Sequence, residues 1–513
     1  MKKNIKILDC TLRDGGYYTD WNFTEEFTNQ YFLAVANSPI SIIELGYLSD
    51  ERDSNGQFYH LNKKILTEAK NILNKNQKIF VMVNFKEINN SKDLDRLLKE
   101  KSKYIDGVRF AVAPKDLKKF TMIVSKTANK YKKISFNLNL MYLSKWFNED
   151  KSIKLIFKNI SKFIDTVAFV DSYGALKPDD IYSFTKKISS LYKNKFIYGA
   201  HFHNNCGLAL ANSLVANDNG CEIVDSTFLG MGRGAGNAET ELLISIYPHL
   251  RKKIKGFYLN NFLEKLKLLK NKLNWGSSFA YAFASQNGYS QAEMMNLIQK
   301  RRLDPSTAIE VVSNNNVGDK ITFKKTNNSK SLKKLKSDTP VFIGGAKSFL
   351  QYGKQLLGSI NKNVPIIFSG SNALTNFIDS KFDIANPKFL ILTGNEINKI
   401  KYEKKTNFLK ELECVIAEEK FISEKIKKLN TKIIYSNTIA ANPLMLLGKL
   451  LINLKMKKLK LAFFDGDYEN EKEKIIFEET QKCIDSLIKQ KINIISITKT
   501  AYKLHFSNPW LND

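Results

Sequence analysis

Cysteine is scarce in this chain, and no long apolar stretch occurs. The 513 residues include five cysteines, scattered and without a Cys-x-x-Cys pair, which argues against a disulfide framework and a zinc knuckle. No apolar run reaches the length of about 18 residues that a membrane span needs. Charged residues follow the first apolar run too soon for a signal peptide, so the sequence predicts a cytoplasmic protein.

Acidic residues are in deficit. The chain carries 80 Lys and Arg against 51 Asp and Glu, a formal net charge of +29 at pH 7. Such an excess raises the question of nucleic-acid binding. However, the excess is mostly lysine, spread over the whole length, and no basic patch with interleaved aromatic residues occurs. We interpret it as a compositional bias that gives solvated faces; binding to acidic surfaces is the alternative.

Apolar, β-rich runs recur along the first half, with amphipathic stretches between them. Eight such runs within about 250 residues match the count and length of a TIM (β/α)8 barrel. A doubly wound open sheet is the alternative, but it would hold its site at one switch point. Polar clusters instead follow the first, sixth, seventh and eighth runs, which favours the barrel. The runs are residues 5–11, 41–48, 78–85, 107–113, 134–141, 166–171, 196–203 and 223–229.

The pattern changes twice after the barrel. It is helical from residue 257 to about 312, and the polar, lysine-rich segment 314–336 is predicted to be a linker or an exposed hairpin. Strand-like runs then resume, which is typical of a mostly parallel, Rossmann-like α/β domain. The predicted domains are a barrel over residues 1–255, a helical extension over 256–325, a linker over 326–338 and a C-terminal α/β domain over 339–513.

The first cluster of chemically capable residues follows the first strand and reads Asp-Cys-Thr-Leu-Arg-Asp-Gly-Gly, residues 9–16. In a βα loop the glycines would let the backbone approach a ligand, so Gly15 is a candidate for contacting substrate. Asp14 offers a hard oxygen to a metal ion, and Arg13 can hold a substrate oxygen or carboxylate. The alternative is an Asp–Arg surface pair before a glycine turn. Glu44, on the second strand, is expected either to orient Arg13 or a ligand or to be structural support.

Two histidines end the seventh strand. Alternate residues of a strand point to the same face, so His201 and His203 project together. Two imidazoles at one strand end make a partial site for a divalent metal ion. A purely structural role is the alternative, and the spacing favours a ligand pair.

A glycine-rich loop follows the eighth strand. Residues 230–241 read Gly-Met-Gly-Arg-Gly-Ala-Gly-Asn-Ala-Glu-Thr-Glu. In TIM barrels a loop in this place commonly leads into a helix N-terminus that binds an anion. Asn237 is predicted to give a further oxygen to the metal ion or to the substrate.

Together, the motifs Leu-Arg-Asp-Gly, His-x-His and Gly-x-Gly…Gly-Asn-x-x-Thr-Glu resemble those of the DRE-TIM metallolyase superfamily. That group includes 3-hydroxy-3-methylglutaryl-CoA lyase, 2-isopropylmalate synthase and 4-hydroxy-2-oxovalerate aldolase. The resemblance covers about residues 5–255. It implies a Mn²⁺ or Mg²⁺ ion with Arg13 stabilising an enolate oxygen, and the implied metal ligands are Asp14, His201, His203 and, as a further ligand, Asn237.

The resemblance is closest to the aldolase branch. The loop 230–236 lacks the catalytic cysteine of the lyases, and Gly-Tyr follows Leu-Arg-Asp-Gly where the acyl-CoA condensing synthases usually have Glu-Gln. By this resemblance Ser172 contacts a pyruvate carboxylate and Tyr281 reaches the active site, with Tyr289 as the alternative. Tyr17 stands where the degradative aldolase has a catalytic histidine. Tyrosine is a poor base at neutral pH, so either a metal-bound water or another tyrosine accepts the proton, or the substrate differs.

The C-terminal domain has two local signals. Gly344-Gly345 and Asp465-Gly466-Asp467 each end an apolar strand, which is where doubly wound sheets hold ligands. No complete Gly-x-Gly-x-x-Gly fingerprint follows, and an ordinary Asp-Gly turn is the alternative. The role of this domain is left open among binding an aldehyde, a nucleotide-linked sugar or another subunit.

The sequence therefore predicts a divalent-metal-dependent aldolase that forms or cleaves a carbon–carbon bond between a pyruvate-type enolate and an aldehyde. An acyl-CoA-dependent condensing synthase for 2-keto acids and a non-catalytic barrel scaffold are the alternatives. The expected partners are a small keto acid and an aldehyde, with neither nucleic acid nor a membrane. A homo-oligomer stays open.

Overall fold

The structure of the chain is a computed structural model. It describes residues 5–49, 55–147, 149–192, 195–300, 305–314, 323, 329–394, 396, 408–419, 432–437, 440, 442–467 and 471–507. The chain divides into two compact units, Met1–Met295 and Asn296–Asp513. Within these described ranges, no helix is both long and apolar enough to cross a membrane.

Eight parallel strands form a closed barrel in the first unit, which confirms the predicted TIM barrel. The first strand pairs with both the second and the eighth, and this pairing closes the ring. The strands are buried almost throughout, as expected when helices cover the outside and side chains fill the inside. They are β1 (Lys6–Asp9), β2 (Ile42–Tyr47), β3 (Lys78–Asn84), β4 (Gly107–Val112), β5 (Ser135–Leu140), β6 (Thr166–Asp171), β7 (Ile197–Phe202) and β8 (Ile223–Ser226).

Amphipathic helices surround the barrel. For example, Ser91–Lys99 buries Leu94, Leu97 and Leu98, which are spaced to share one helical face, and an Asn90–Asp93 capping box fixes its start. The helices are α1 (Thr11–Thr19), α2 (Glu25–Ala36), α3 (Lys63–Ile72), α4 (Ser91–Lys99), α5 (Leu117–Ala128), α6 (Asp150–Ile160), α7 (Pro178–Leu191), α8 (Ala209–Asp218), α9 (Thr240–Ile246) and α10 (Pro248–Arg251).

The segment after β1 is a helix, where the sequence predicted a loop. Helix α1 begins at once because the Asp9 carboxylate accepts the Thr11 backbone N–H at 3.0 Å. The two glycines serve close packing within this helix. A Cβ at Gly15 would lie 2.6 Å from the sulfur of Met231, and one at Gly16 would lie 2.1 Å from the indole of Trp21.

The first unit ends in helices that follow the barrel, as the sequence predicted. Phe262 of the first of them is fully buried, and its ring lies 5.3 Å from those of Phe27 and Phe228. This aromatic cluster attaches the extension to α2 and to the turn after β8. The helices are α11 (Gly256–Leu273), α12 (Phe279–Gln286) and α13 (Gln291–Met295).

The second unit is an α/β domain around one parallel eight-stranded sheet, which confirms the predicted Rossmann-like class. The sheet order is β13-β12-β11-β10-β9-β14-β15-β16. Alternate residues of β9 enter separate apolar cores on the two faces, Val341 and Ile343 on one and Phe342 on the other. The strands are β9 (Val341–Ile343), β10 (Ile366–Ser369), β11 (Lys388–Leu392), β12 (Cys414–Glu418), β13 (Ile433–Ser436), β14 (Lys458–Ala462), β15 (Asn493–Ser496) and β16 (His505–Phe506).

Helices cover both faces of this sheet. A short π-helical segment, Asn296–Lys300, precedes them. The helices are α14 (Pro305–Asn314), α15 (Ser329–Leu335), α16 (Ser348–Ser359), α17 (Gly370–Asp379), α18 (Pro443–Asn453) and α19 (Glu471–Lys489).

Part of the predicted linker is ordered as α15. The reason is that Leu335 is fully buried in the core of the second unit, and Ser331 Oγ donates to the Glu413 carbonyl at 2.9 Å. Lysines dominate the exposed positions of this short helix and hide the apolar spacing in the sequence. Residues 315–322 and 324–328 of the polar segment 314–336 lie outside the described residues.

Replacing Phe262 with alanine should lower the free energy of unfolding of the barrel by about 3–5 kcal/mol, because it removes a fully buried ring. The control is Phe257→Ala on the same helix, where the ring is 71% exposed, and it should change stability by less than about 0.5 kcal/mol. Urea unfolding followed by tryptophan fluorescence measures both. Equal losses would show that this helix does not depend on the aromatic cluster.

Candidate metal centre

Three predicted ligands meet at the C-terminal mouth of the barrel. Asp14 projects from the first turn of α1, His201 lies on β7 and His203 follows that strand directly. One ligand atom of each lies within 4.8 Å of the others, and all three side chains are buried. Among the described residues, this is the cluster of His, Cys, Asp and Glu side chains with the spacing of a metal site.

The two imidazoles are oriented by their outer nitrogens. His201 Nδ1 lies 3.0 Å from the Asp225 carboxylate, and His203 Nδ1 lies 2.9 Å from the carbonyl oxygen of Asp171. Both acceptors require the proton on Nδ1, so each Nε2 presents its lone pair to the centre. Burial, followed by the positive charge of Arg233, lowers the pKa of His203 to about 3, which keeps it a neutral ligand at physiological pH.

Asn237 completes the centre from the glycine loop. Its Nδ2 donates to Asp14 Oδ2 at 2.5 Å, and its Oδ1 is buried without a hydrogen-bond partner in the described structure. The loop is held against the end of β7 by a bridge between His203 and Asn237. A Cβ at Gly232 would lie 2.9 Å from Asp14 Oδ2, so this glycine keeps the space beside the carboxylate open. A buried oxygen lacking a donor, a carboxylate and two imidazole lone pairs fit a divalent cation.

Asp14 is held ionised by its neighbours. Burial opposes ionisation, but the Arg13 guanidinium and the two imidazoles outweigh it and hold the pKa of this carboxyl below its ordinary value. Arg13 Nη1 donates to Asp14 Oδ1 at 2.6 Å, which leaves Oδ2 directed at His201, 3.8 Å from Nε2. One oxygen therefore serves the guanidinium, and the other faces the centre.

Arg13 belongs to a closed circuit of buried ionic groups that crosses the barrel interior. Arg13 Nε donates to Glu44, and Arg109 donates to the other oxygen of Glu44 at 2.9 Å. Arg109 also donates to Asp225 at 2.7 Å. We call this circuit the charge ring; its members are Asp14, Arg13, Glu44, Arg109, Asp225 and His201.

The mouth of the barrel carries a second arginine, Arg233, in the glycine loop. Its Nη2 donates to the Ser172 carbonyl at 3.2 Å, and its guanidinium lies 5.7 Å from the ring centroid of Tyr17. Its Nε is buried without a hydrogen-bond partner in the described structure. The positive charge of this guanidinium also acts on His203, so Arg233 lies near the metal centre.

The other predicted substrate residues lie around the same opening. Ser172 is buried, and its hydroxyl accepts the Tyr142 backbone N–H at 2.9 Å. Tyr281 is buried on α12, with its ring edge 3.4 Å from where a Cβ of Gly234 would lie. Gly15 contacts Met231 within the helix packing.

Sequence reasoning missed Arg109, Asp225 and Arg233. Arg109 and Asp225 sit in the middle of strands and have no local motif, so only the closed barrel pairs them. Arg233 does have a sequence signal, since it is the single charged residue of the glycine-rich run at residues 230–238. Glu44 was named as a residue that could orient Arg13, and it contacts both arginines of the ring.

Comparison with known proteins places this barrel among enzymes. The HMGL-like family model matches residues 117–264. The chain is 28% identical over 255 residues to a 4-hydroxy-2-oxovalerate aldolase from Pectobacterium atrosepticum, covering 49% of this chain and 71% of that protein. It is 26% identical over 285 residues to an (R)-citramalate synthase from Sulfolobus acidocaldarius, covering 52% and 51%.

A solved structure shows the same relationship. The N-terminal domain of a candidate aldolase from Bacteroides vulgatus is 32% identical, with a TM-score of 0.53, and the match covers 57% of this chain and 96% of that domain. The closed eight-stranded barrel lies within the part of the chain that these matches cover. The chain belongs to the HMGL-like family and is a carbon–carbon lyase of the DRE-TIM metallolyase superfamily.

Proposed function

We propose that the barrel is a divalent-metal-dependent aldolase that joins or separates a pyruvate-type enolate and an aldehyde. The observation that carries the proposal is the buried convergence of Asp14, His201 and His203 beside the Arg13 guanidinium. Such a site places positive charge where negative charge develops when the carbon–carbon bond breaks. The named aldolase relative supports the same class of reaction.

The proposed cation ligands are Asp14 Oδ2, the Nε2 atoms of His201 and His203, and Asn237 Oδ1. A bound Mn²⁺ or Mg²⁺ would supply Lewis-acid polarisation of the keto oxygen of the substrate. The two protonated Nδ1 positions prevent either imidazole from turning away, because each is held by a buried acceptor.

In the cleavage direction, a base removes the proton of the 4-hydroxyl group of a 4-hydroxy-2-keto acid. The bond between C3 and C4 then breaks, C4 leaves as the aldehyde, and the electron pair of the bond becomes the enolate of pyruvate. Arg13 donates to the developing enolate oxygen, since Glu44 and Asp14 hold its guanidinium in place. Protonation of C3 completes the cycle.

Tyr17 is the proposed proton-handling side chain. It lies one helical turn beyond Asp14 on α1, half-buried between the Arg233 guanidinium and the Trp21 ring. Tyr281 closes the site from α12.

Arg233 is the proposed partner of the substrate carboxylate. Its buried Nε lacks an acceptor in the described structure, and a carboxylate would supply one. Ser172 supports this arrangement through its carbonyl oxygen, which accepts from Arg233, while its hydroxyl already serves the Tyr142 backbone.

Replacing Asp14 with asparagine should weaken Mn²⁺ binding by more than the roughly 10–100-fold that loss of an outer partner causes, because the charged ligand itself is lost. Asp218→Asn makes the same change at an exposed position at the end of α8 and should leave Mn²⁺ affinity unchanged. Isothermal titration of the chelator-stripped protein measures both, and circular dichroism verifies folding. Equal affinity in the two variants would exclude Asp14 as a ligand.

Pyruvate in D₂O should lose its methyl proton signal in the presence of enzyme and Mn²⁺, without any aldehyde, because the site stabilises the enolate. Arg13→Lys should slow this exchange by about 10²–10³, since it loses the planar fork while keeping the charge. Mn²⁺ affinity of the variant should change only a few-fold. No exchange in the wild type, together with thiol release from an acyl-CoA and a 2-keto acid, would replace the aldolase with a condensing synthase.

Replacing Arg233 with alanine should raise KM for the keto acid by about 10–100-fold, because one charge-assisted hydrogen bond is lost. Arg251→Ala, at an exposed arginine in α10, is the matched control and should leave KM unchanged. Mn²⁺ affinity should be the same in both. A fall in kcat with an unchanged KM would assign Arg233 to the chemical step and contradict carboxylate binding.

A further inference from the structure

The sheet of the second unit reverses its strand order at one place. From β9 the chain adds β10, β11, β12 and β13 in one direction, and α18 then returns it to β14 on the other side of β9. The crossovers therefore leave the carboxyl ends of β9 and β14 in opposite directions. In open parallel sheets, such a point opens a crevice that holds ligands.

Two cavities occupy this crevice. One has a volume of about 610 Å³ and lies beyond the ends of β9, β10 and β14, and the other has a volume of about 720 Å³. Phe463, Asp465 and Asp467 line both. Each cavity is large enough for a drug-sized molecule. The Asp465-Gly466-Asp467 turn therefore lies between the two cavities, where one ligand can contact both.

The backbone segments that border the crevice lie very close to one another. A Cβ at Gly344 would lie 2.1 Å from the Phe463 carbonyl oxygen, so the ends of β9 and β14 meet without a side chain between them. Gly466 has a φ of +77°, and a Cβ there would lie 3.1 Å from the ring of Phe477. That ring stacks on Tyr502 with centroids 4.7 Å apart, so an aromatic pair supports the acidic turn.

The charges of the first cavity disfavour a phosphate-rich ligand. Its lining holds three carboxylates, Asp465, Asp467 and Glu396, against one amine, Lys347. Two of the helix N-termini at this cavity already face carboxylates of the chain, and that of α18 is capped by Asn442, which accepts the Met445 backbone N–H. Asp465 accepts Ser348 Oγ at the start of α16 at 2.6 Å, and the Glu396 carboxylate lies 2.5 Å from where a Cβ of Gly370 would begin α17.

Carboxylates accept hydrogen bonds and cannot donate them when ionised, so they complement hydroxyl groups. The cavity also has an apolar wall with Phe464, Phe477 and Tyr502, which suits the face of a planar ring. We infer that this crevice binds a nucleoside-class ligand, with the sugar hydroxyls donating to Asp465 and Asp467 and the base lying against the aromatic wall. The site is separate from the proposed chemistry of the barrel.

The test is calorimetric titration of the full-length protein with adenosine, cytidine and uridine, with their 5′-diphosphates, and with free ribose. At least one nucleoside should bind saturably, more tightly than its diphosphate and more tightly than ribose. Asp467→Asn should weaken that binding about tenfold, because a charged acceptor is lost. Asp485→Asn, at an exposed position of α19, is the matched control and should leave it unchanged.

Asp467 is exposed, so its variant is expected to fold, whereas Asp465 also holds Ser348. The Asp14→Asn variant should bind the nucleoside like the wild type, which separates this site from the barrel. No saturable binding of any nucleoside, tighter binding of a diphosphate, or ribose binding as tightly as a nucleoside would each overturn the inference.

Discussion

The charge ring is the constraint on which the barrel interior depends. Its members come from α1, β2, β4, β7 and β8, and every one is buried. Taking charges out of water is costly, and removing one partner of a buried pair typically costs about 3–5 kcal/mol because the other is left uncompensated. Each arginine therefore bonds to two acids, and Glu44 bonds to both arginines. The same bonds fix the guanidinium of Arg13 and the imidazole of His201.

The charges of the ring do not cancel, and an unbalanced negative charge is the remainder. It contains three carboxylates, Asp14, Glu44 and Asp225, and two guanidiniums, so one carboxylate charge has no guanidinium to balance it. Asp14 and Asp225 each bond to one guanidinium and share that remainder, and both lie beside the imidazole of His201. Attraction for a cation is thus a property of the barrel interior as a whole as well as of the three ligand side chains.

The barrel strands and the metal cluster could be predicted from the sequence, whereas the charge ring could not. Strand runs reveal themselves by apolar composition, and two histidines at spacing two share a face whatever the tertiary structure. Arg109 and Asp225 carry no such mark, because their pairing exists only once distant strands become neighbours around the barrel. The α1 segment was mistaken for a loop because its two glycines suggested a turn, while packing against Met231 and Trp21 explains them. The lysine-rich composition of Ser329–Leu335 likewise suggested a linker, where the structure has α15.

The charge ring holds the residues of the candidate site in place, and it joins strands that are synthesised at different times. Arg109 and Asp225 are 116 positions apart, so at about 5–20 residues per second the acid is synthesised roughly 6–23 seconds after the arginine. Until β8 docks on β1, Arg109 has Glu44 but lacks Asp225, and His201 lacks the carboxylate that orients its ring. A fragment ending before β8 therefore leaves the buried guanidinium of Arg109 with one of its two acids, and the last strand supplies the other.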